Sequence, residues 1–284
     1  MGRGLAKRLF ALATSIPLLL AGAPVPPSSA ADAPPRLSME GAELRLVAEE
    51  PAPDGRLRAA LLIDLASGWK TYWRDPGEAG IPPRLDLSKS VNLVSLAAGF
   101  PMPHRFGDAD GASNGYSQPL AVALTFERPD PSAPATIDLV LSLGLCREIC
   151  IPASAHLRLD IGAGDAADRR LVAYAFAALP EASTPNAGIA SAHLSADGAS
   201  IEIEALAPDE REHRRADVFV AGPEGWFFGA PKAPRRDGRR LTFAVPVTGK
   251  PRSAGDAPPA AVDVVLDLGA ETYGASKLGV APPR

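Results

Sequence analysis

Two cysteines are the only ones in the 284-residue chain, and they share one short stretch, Leu145-Cys146-Arg147-Glu148-Ile149-Cys150-Ile151-Pro152. Three chemistries suit thiols at this spacing. A redox pair is the first: after one thiolate attacks a partner's disulfide, its neighbour closes the ring and releases the partner. A Cu(I) site is the second, because two soft thiolates match that ion, with Met102 and His104 as further candidate ligands. A structural staple is the third, although closing so short a ring removes only roughly 2 kcal/mol of unfolded-chain entropy, against nearly 5 for a loop of about 100 residues. A domain in need of a staple gains more by joining distant strands. Arg147, beside Cys146, favours the thiolate and Glu148 opposes it, so both are candidates for tuning the pair.

The elements that position the cysteines read as strands. Ile137, Leu139, Leu141, Leu143 and Leu145 form one face of a strand, and Asp138, Val140, Ser142, Gly144 and, in phase, Cys146 form the other. This register predicts access for the first thiol, not burial. Beyond Pro152 the alternation resumes, with Ala155, Leu157, Leu159 and Ile161 inward and His156, Arg158 and Asp160 outward, so the pair sits at a connection between two strands. Upstream, Leu44 and Leu46 alternate with Glu43 and Arg45, and Leu57, Ala59, Leu61, Ile63 and Leu65 alternate with Arg58, Ala60, Leu62 and Asp64. Trp69, Tyr72 and Trp73, in a β-prone run closed by Pro76-Gly77, read as core aromatics. The long Gly- and Asp-rich loop over residues 101–116 is of a length usually tied to function. Its Asp108, Asp110 and Asn114 lack the closing glutamate of an EF-hand loop and read as a solvated turn.

Residues 162–179 change period. Asp165 with Asp168 resembles a capping box, and Leu171, Val172, Ala175, Phe176 and Leu179 recur at helical spacing until Pro180. Residues 181–188 read as linker. Alternation restarts beyond it at Ile201 and Ile203, at Leu241, Phe243, Val245 and Val247, and at Val262, Val264 and Leu266, which predicts a second, smaller β domain. His193 and His213 stand in polar surroundings and read as solvated. Thirty prolines and 26 glycines spread along the chain fit many turns between short strands. The 46% hydrophobic content is enough for two cores of roughly 100 to 150 residues each.

The first 30 residues read as an address. Arg3, Lys7 and Arg8 make a positive start, residues 9–23 are apolar, and Ser28-Ser29-Ala30 offers small residues for cleavage. The apolar run is short for a membrane span and is broken by Pro17. No later stretch reaches transmembrane length, so no membrane span is expected. Export places the cysteines where disulfides form and persist. A net charge of -4 offers no basic field for nucleic acid or anionic lipid.

The stretch Gly68-Trp69-Lys70-Thr71-Tyr72-Trp73-Arg74-Asp75-Pro76-Gly77-Glu78-Ala79-Gly80-Ile81-Pro82-Pro83, taken with Cys146-Arg147-Glu148-Ile149-Cys150-Ile151-Pro152, resembles the N-terminal periplasmic domain of the DsbD thiol:disulfide interchange family, and more closely its ScsB-like branch. The likeness covers about residues 40 to 161, and the remainder resembles the second β domain that accompanies the first in that branch. The resemblance implies an all-β fold of two immunoglobulin-like β-sandwich domains joined by a short helix and linker. The expected division is a signal peptide over 1–30, a redox domain over 31–164, helix and linker over 165–188, and the second sandwich over 189–284. It also implies that Cys146 and Cys150 shuttle between dithiol and disulfide in the periplasm, as a protein-disulfide reductase without a cofactor. Electrons would come from a membrane-embedded donor and pass to thioredoxin-like partners, among them disulfide isomerases and cytochrome c maturation factors. In the family the later cysteine, here Cys150, engages the partner, and a cap loop carrying an aromatic residue shields the pair. Residues 104–116 precede the cysteine strands as that cap does, which makes Phe106 or Tyr116 the candidate shield.

Two departures qualify the likeness. The cysteine spacing is shorter than in the best-known members, and the chain has neither the membrane domain nor the C-terminal thioredoxin domain, so a separate membrane electron donor is expected. The alternative is a Cu(I)-binding or copper-delivery protein that uses the same Cys146 and Cys150. Cys-x-x-x-Cys-x-Pro is one residue from the Cys-x-x-x-Cys-Pro of Sco-type copper chaperones, and the ScsB branch is associated with copper tolerance. Sco proteins have a thioredoxin fold, however, and this chain reads as β sandwich.

Overall fold

The structure, a computed structural model, describes Met1 and residues 35–77, 80–107, 112–162, 164–210, 213, 215–255 and 257–283. The expected signal peptide thus lies outside the described residues apart from Met1, and Asp108 and Asp110 lie outside them as well. The first part of the chain forms β1 (Arg36–Met39), β2 (Ala42–Ala48), β3 (Arg56–Leu65), β4 (Lys70–Gly77), β5 (Arg84–Asp86), β6 (Ser95–Gly99), β7 (His104–Phe106), β8 (Ser113–Tyr116), β9 (Leu120–Glu127), β10 (Thr136–Cys146) and β11 (Cys150–Asp160). Helix α1 (Ala166–Ala177) follows. Then come β12 (Glu181–Ala182), β13 (Gly188–Leu194), β14 (Ser200–Leu206), β15 (Asp217–Ala221), β16 (Phe227–Phe228), β17 (Arg235–Asp237), β18 (Arg240–Gly249), β19 (Ala261–Asp267) and β20 (Thr272–Ala281).

Among the described residues the strands make three sheets. One runs β1-β2-β3-β9-β6, and a second runs β11-β10-β4-β8-β7 with β5 beside β10. These two stack as an immunoglobulin-like sandwich. Its core forms because the alternating residues of β10 (Ile137, Leu139, Leu141, Leu143 and Leu145) meet Leu44 and Leu46 of β2, Leu57 and Leu61 of β3 and Leu124 and Phe126 of β9, all of them buried. Full burial of each such side chain is worth about 1.5 to 3 kcal/mol, which fixes the register of β10 and with it the face on which Cys146 emerges.

The outer face of the first sheet is also covered. Val47, Ala60, Ala121 and Ala123 pack under Val172 and Ala175 of α1. Ala60, on the outward phase of its strand, is therefore buried, and the helix docks on the sandwich. Asp165 caps α1 by accepting from the amides of Ala167 and Asp168 at 2.7 and 2.8 Å. Asp168 does not complete a capping box but pairs with Arg45 of β2 at 2.7 Å. The stretch expected as linker is tied down: β12 pairs in parallel with β20, and the Ser183 hydroxyl donates to the Gly274 carbonyl.

The third sheet runs β15-β19-β20-β13-β14-β18-β16, with β12 beside β20 and β17 beside β18, around a core that includes Ile201, Ile203, Phe243 and Leu266. Strands β15 and β19 are buried on both faces. Val218, Val220, Val264 and Leu266 face this core, whereas Phe219, Ala221 and Val265 join the core of the first sandwich, where Phe219 meets Trp73 edge-on at 6.2 Å. His193 and His213 correct the expectation of solvation. His193 is 9% exposed on β13, and the His213 ring is buried in the β14–β15 loop with Nδ1 3.3 Å from the Leu268 carbonyl, because tertiary packing covers both and their polar sequence neighbours do not announce it. Among the described residues no helix is long and apolar enough to cross a membrane.

Candidate functional site

The β10–β11 hairpin stays in register from Thr136 opposite Asp160 to Cys146 opposite Cys150, and a disulfide joins the two cysteines at its rim. The strand phase brings Cys146 out half-buried, and Cys150 is exposed. Arg147, Glu148 and Ile149 form the exposed turn between them, with Ile149 77% accessible. A large apolar side chain in water beside a disulfide is an edge on which another protein can dock.

Strand β4 runs alongside β10, with Thr71 opposite Leu145 and Lys70 opposite Cys146, and the Thr71 hydroxyl donates to the Gly144 carbonyl at 2.9 Å. Thr71 and Trp73 therefore face the core. Lys70 and Tyr72 fall on the cysteine face, where the Tyr72 hydroxyl lies 2.9 Å from Cys150 Sγ. Two glycines make the slot for this ring. A Cβ on Gly144 would come within 2.9 Å of Tyr72 Cδ2 and Cε2, and one on Gly80, whose φ is 152°, within 2.6 Å of Cδ1 and Cε1. Burial pushes the Tyr72 phenol above its ordinary pKa, so the hydroxyl keeps its proton and donates it towards sulfur. When the bridge opens, the same donor faces a thiolate, and hydrogen bonds to an ionised acceptor are the stronger kind.

Phe106 lies on this face too. Its ring is 6.1 Å from that of Tyr72, and Lys70 Nζ stands 4.9 Å over it, so Lys70, Tyr72 and Phe106 form one cation-aromatic wall that reaches Cys150 through the tyrosine hydroxyl. Tyr116 is placed otherwise. It pairs with Thr71 across β4 and β8, which sets it on the core face, 4% exposed, with its hydroxyl donating to the Pro101 carbonyl at 2.8 Å. Asn114 is no solvated turn residue but is buried, because its amide is held by Arg105 and by the Asp75 carbonyl. Met102 and His104 line a cleft with Tyr116 and Tyr174 that neither cysteine lines. Among the described residues no group of three or more His, Cys, Asp or Glu side chains is arranged to hold a metal ion.

Sequence reasoning missed Lys70 and Tyr72 as site residues. Their signal was their phase: both stand off the Thr71–Trp73 alternation, but which strand they lie beside is not written locally.

An immunoglobulin-like sandwich that offers a disulfide at its rim, under a buried tyrosine hydroxyl, defines the class of this molecule. Residues 43–160 match the family model described as thiol:disulfide interchange protein DsbD, N-terminal, and this part of the chain is a DsbD N-terminal-like domain. Among solved structures, the N-terminal periplasmic domain of ScsB from Proteus mirabilis superposes with a TM-score of 0.65 at 22% identity, over 86% of this chain and 97% of that one. That likeness is one of fold, and its coverage extends well past residues 43–160. The DsbD N-terminal domain of Neisseria meningitidis in the reduced form aligns at 18% identity over 44% of this chain and 88% of that one, with a TM-score of 0.27, too low for comparing folds. No curated protein matches the chain.

Proposed function

We propose that the Cys146–Cys150 pair exchanges electrons with thioredoxin-like proteins in the periplasm. The observation that carries the reading is the sulfur of Cys150, the more exposed residue of the pair, held at 2.9 Å by the Tyr72 hydroxyl on the rim of a DsbD N-terminal-like domain. An inert staple gains nothing from a buried donor aimed at its more exposed cysteine.

In the dithiol form, the Cys150 thiolate attacks one sulfur of the partner's disulfide. That bond breaks, the departing partner thiolate takes up a proton, and a mixed disulfide forms. The Cys146 thiol gives up its proton and attacks Cys150 Sγ, the partner's second sulfur leaves and is protonated, and two electrons have moved to the partner. The reverse sequence, with a separate membrane-bound dithiol as donor, reloads the pair. Cys150 is assigned the attack because it is the exposed member, carries the Tyr72 hydroxyl and is flanked by Ile149, Ile151 and Pro152 as a partly apolar docking edge. Arg147 and Glu148 act from the turn on the charge at Cys146, and Phe106 acts as the shield beside Tyr72. Export to the periplasm rests on the residue pattern of the first 30 positions and on the periplasmic origin of the ScsB domain.

The test is single-cysteine trapping. Cys146→Ser and Cys150→Ser should each abolish turnover with an oxidised thioredoxin-like protein, and only Cys146→Ser, which keeps the attacking thiol, should accumulate the mixed disulfide. Accumulation by Cys150→Ser alone reverses the two roles. Full exchange in both variants, or stoichiometric Cu(I) binding with no exchange, replaces the reading with copper binding.

A further inference from the structure

On the side of Phe106, the third sheet reaches the site at the short strand β7. Among the described residues this three-residue strand lies at the edge of its sheet and pairs only with β8. Such an edge strand is held weakly by its own ladder. Side chains alternate along it, so His104 and Phe106 lie to one side, Phe106 against Tyr72, while Arg105 between them points to the other. There the Arg105 guanidinium forks onto Asp217 of β15, with Nε and Nη2 each 3.1 Å from a carboxylate oxygen. Its Nη2 also donates to the Val218 carbonyl at 3.2 Å, its Nη1 to Asn114 Oδ1 at 2.8 Å, and the group lies 4.7 Å over the Phe219 ring. A planar fork held at both prongs and on one face has one orientation, and it fixes the roll of the strand that bears it.

We infer that the third sheet is a brace for the cap: Asp217, through Arg105, holds β7 in the roll that keeps Phe106 against Tyr72 and so limits access to Cys150. Arg105 is thus a positioning residue acting through Phe106. This rests on the reading of Phe106 as the shield, but not on exchange with any partner.

Alkylation of the reduced full chain by iodoacetamide and by a bulky maleimide tests it without a partner protein, so its outcome is separate from that of the trapping experiment. Arg105→Ala should speed reaction at Cys150 by roughly tenfold, the scale on which a charged hydrogen-bonded contact is lost, and the bulky reagent should gain more than the small one. Asp217→Asn, which keeps the shape of the side chain, should move the rates the same way with the urea midpoint near that of the parent. Phe106→Ala should speed them as well, and adding it to Arg105→Ala should change nothing further, because both remove one gate. Additive effects, or wild-type rates in Arg105→Ala and Asp217→Asn beside a fast Phe106→Ala, overturn the brace. Wild-type rates in Phe106→Ala remove the cap and the brace together.

Discussion

The two ends of β4 work in opposite settings. Residues 70–72 lie beside the hairpin rim, where Tyr72 reaches the sulfur of the exposed residue Cys150, whereas residues 73–77 run into the junction with the third sheet, where Trp73 meets Phe219, Arg74 pairs with Asp263 at 2.9 Å and Asp75 is 4% exposed. One end leaves a reactive group open to another protein, and the other is closed against a second core. A site that must meet partners cannot bury itself, so its geometry has to be held from elsewhere. Here the holding is done by the buried end of the same strand and, across β8 and β7, by Arg105.

Asp75 gives the largest expected effect and tests the closed end. Its carboxyl is pushed up to about 7 from 3.8 by burial, against the opposing pull of the Gly77 amide and of Arg105 and Arg74. The groups around this junction also include the Asn114 amide on the Asp75 carbonyl, Asp217 on Arg105 and Asp263 on Arg74. The folded protein keeps a proton that the unfolded chain loses near 3.8. Stability is therefore greatest below about pH 4 and is lost as pH rises to about 7, by a few kcal/mol in this group's contribution. Asp75→Asn keeps the acceptor for the Gly77 amide and removes the charge. Urea unfolding from pH 4.5 to 8 should show the variant gaining on the parent as pH rises, and parallel curves for the two would place the titration elsewhere.

Tyr72→Phe probes the open end. The ring still fills the slot between Gly80 and Gly144, but the thiolate at Cys150 loses its donor. Alkylation at pH 7 should slow roughly three- to tenfold and recover at high pH, where every thiol is ionised. An unchanged rate at pH 7 would mean that the 2.9 Å contact does nothing for the reduced form.

The smallest effect is a control on the far face. Asp165→Ala removes the cap of α1 and should cost about 1 kcal/mol of stability by thermal or urea unfolding. Because α1 packs on the first sheet, away from the cysteine sheet, thiol reactivity should stay at the parent value. A change in reactivity would show that the two sheets are less independent than their packing implies.

Much of this was legible in the residues. The cysteine pair, the β10 phase that sets Cys146 on the outer face and Asp165 as the helix cap all depend on side chains within a few positions of one another, and short-range geometry decides them. The stretch from Gly68 to Pro83 and the cysteine motif together carried the family resemblance. Which strands lie side by side was not legible in this way. Tyr72 meets Cys150 across 78 positions and Arg105 meets Asp217 across 112, and each pair forms only because whole sheets bury their apolar faces against one another. Burial of His193, His213 and Asn114 follows from the same packing. Phe106 and Tyr116 looked alike as shields in the sequence. The pairing of β8 with β4 turned Tyr116 into the core, while β7 set Phe106 beside Tyr72 on the cysteine face, and alternation within 104–116 carries no mark of which face the partner strand presents. Local sequence thus determined which side chains share a face, and only the long-range burial of apolar surface decided what each face meets.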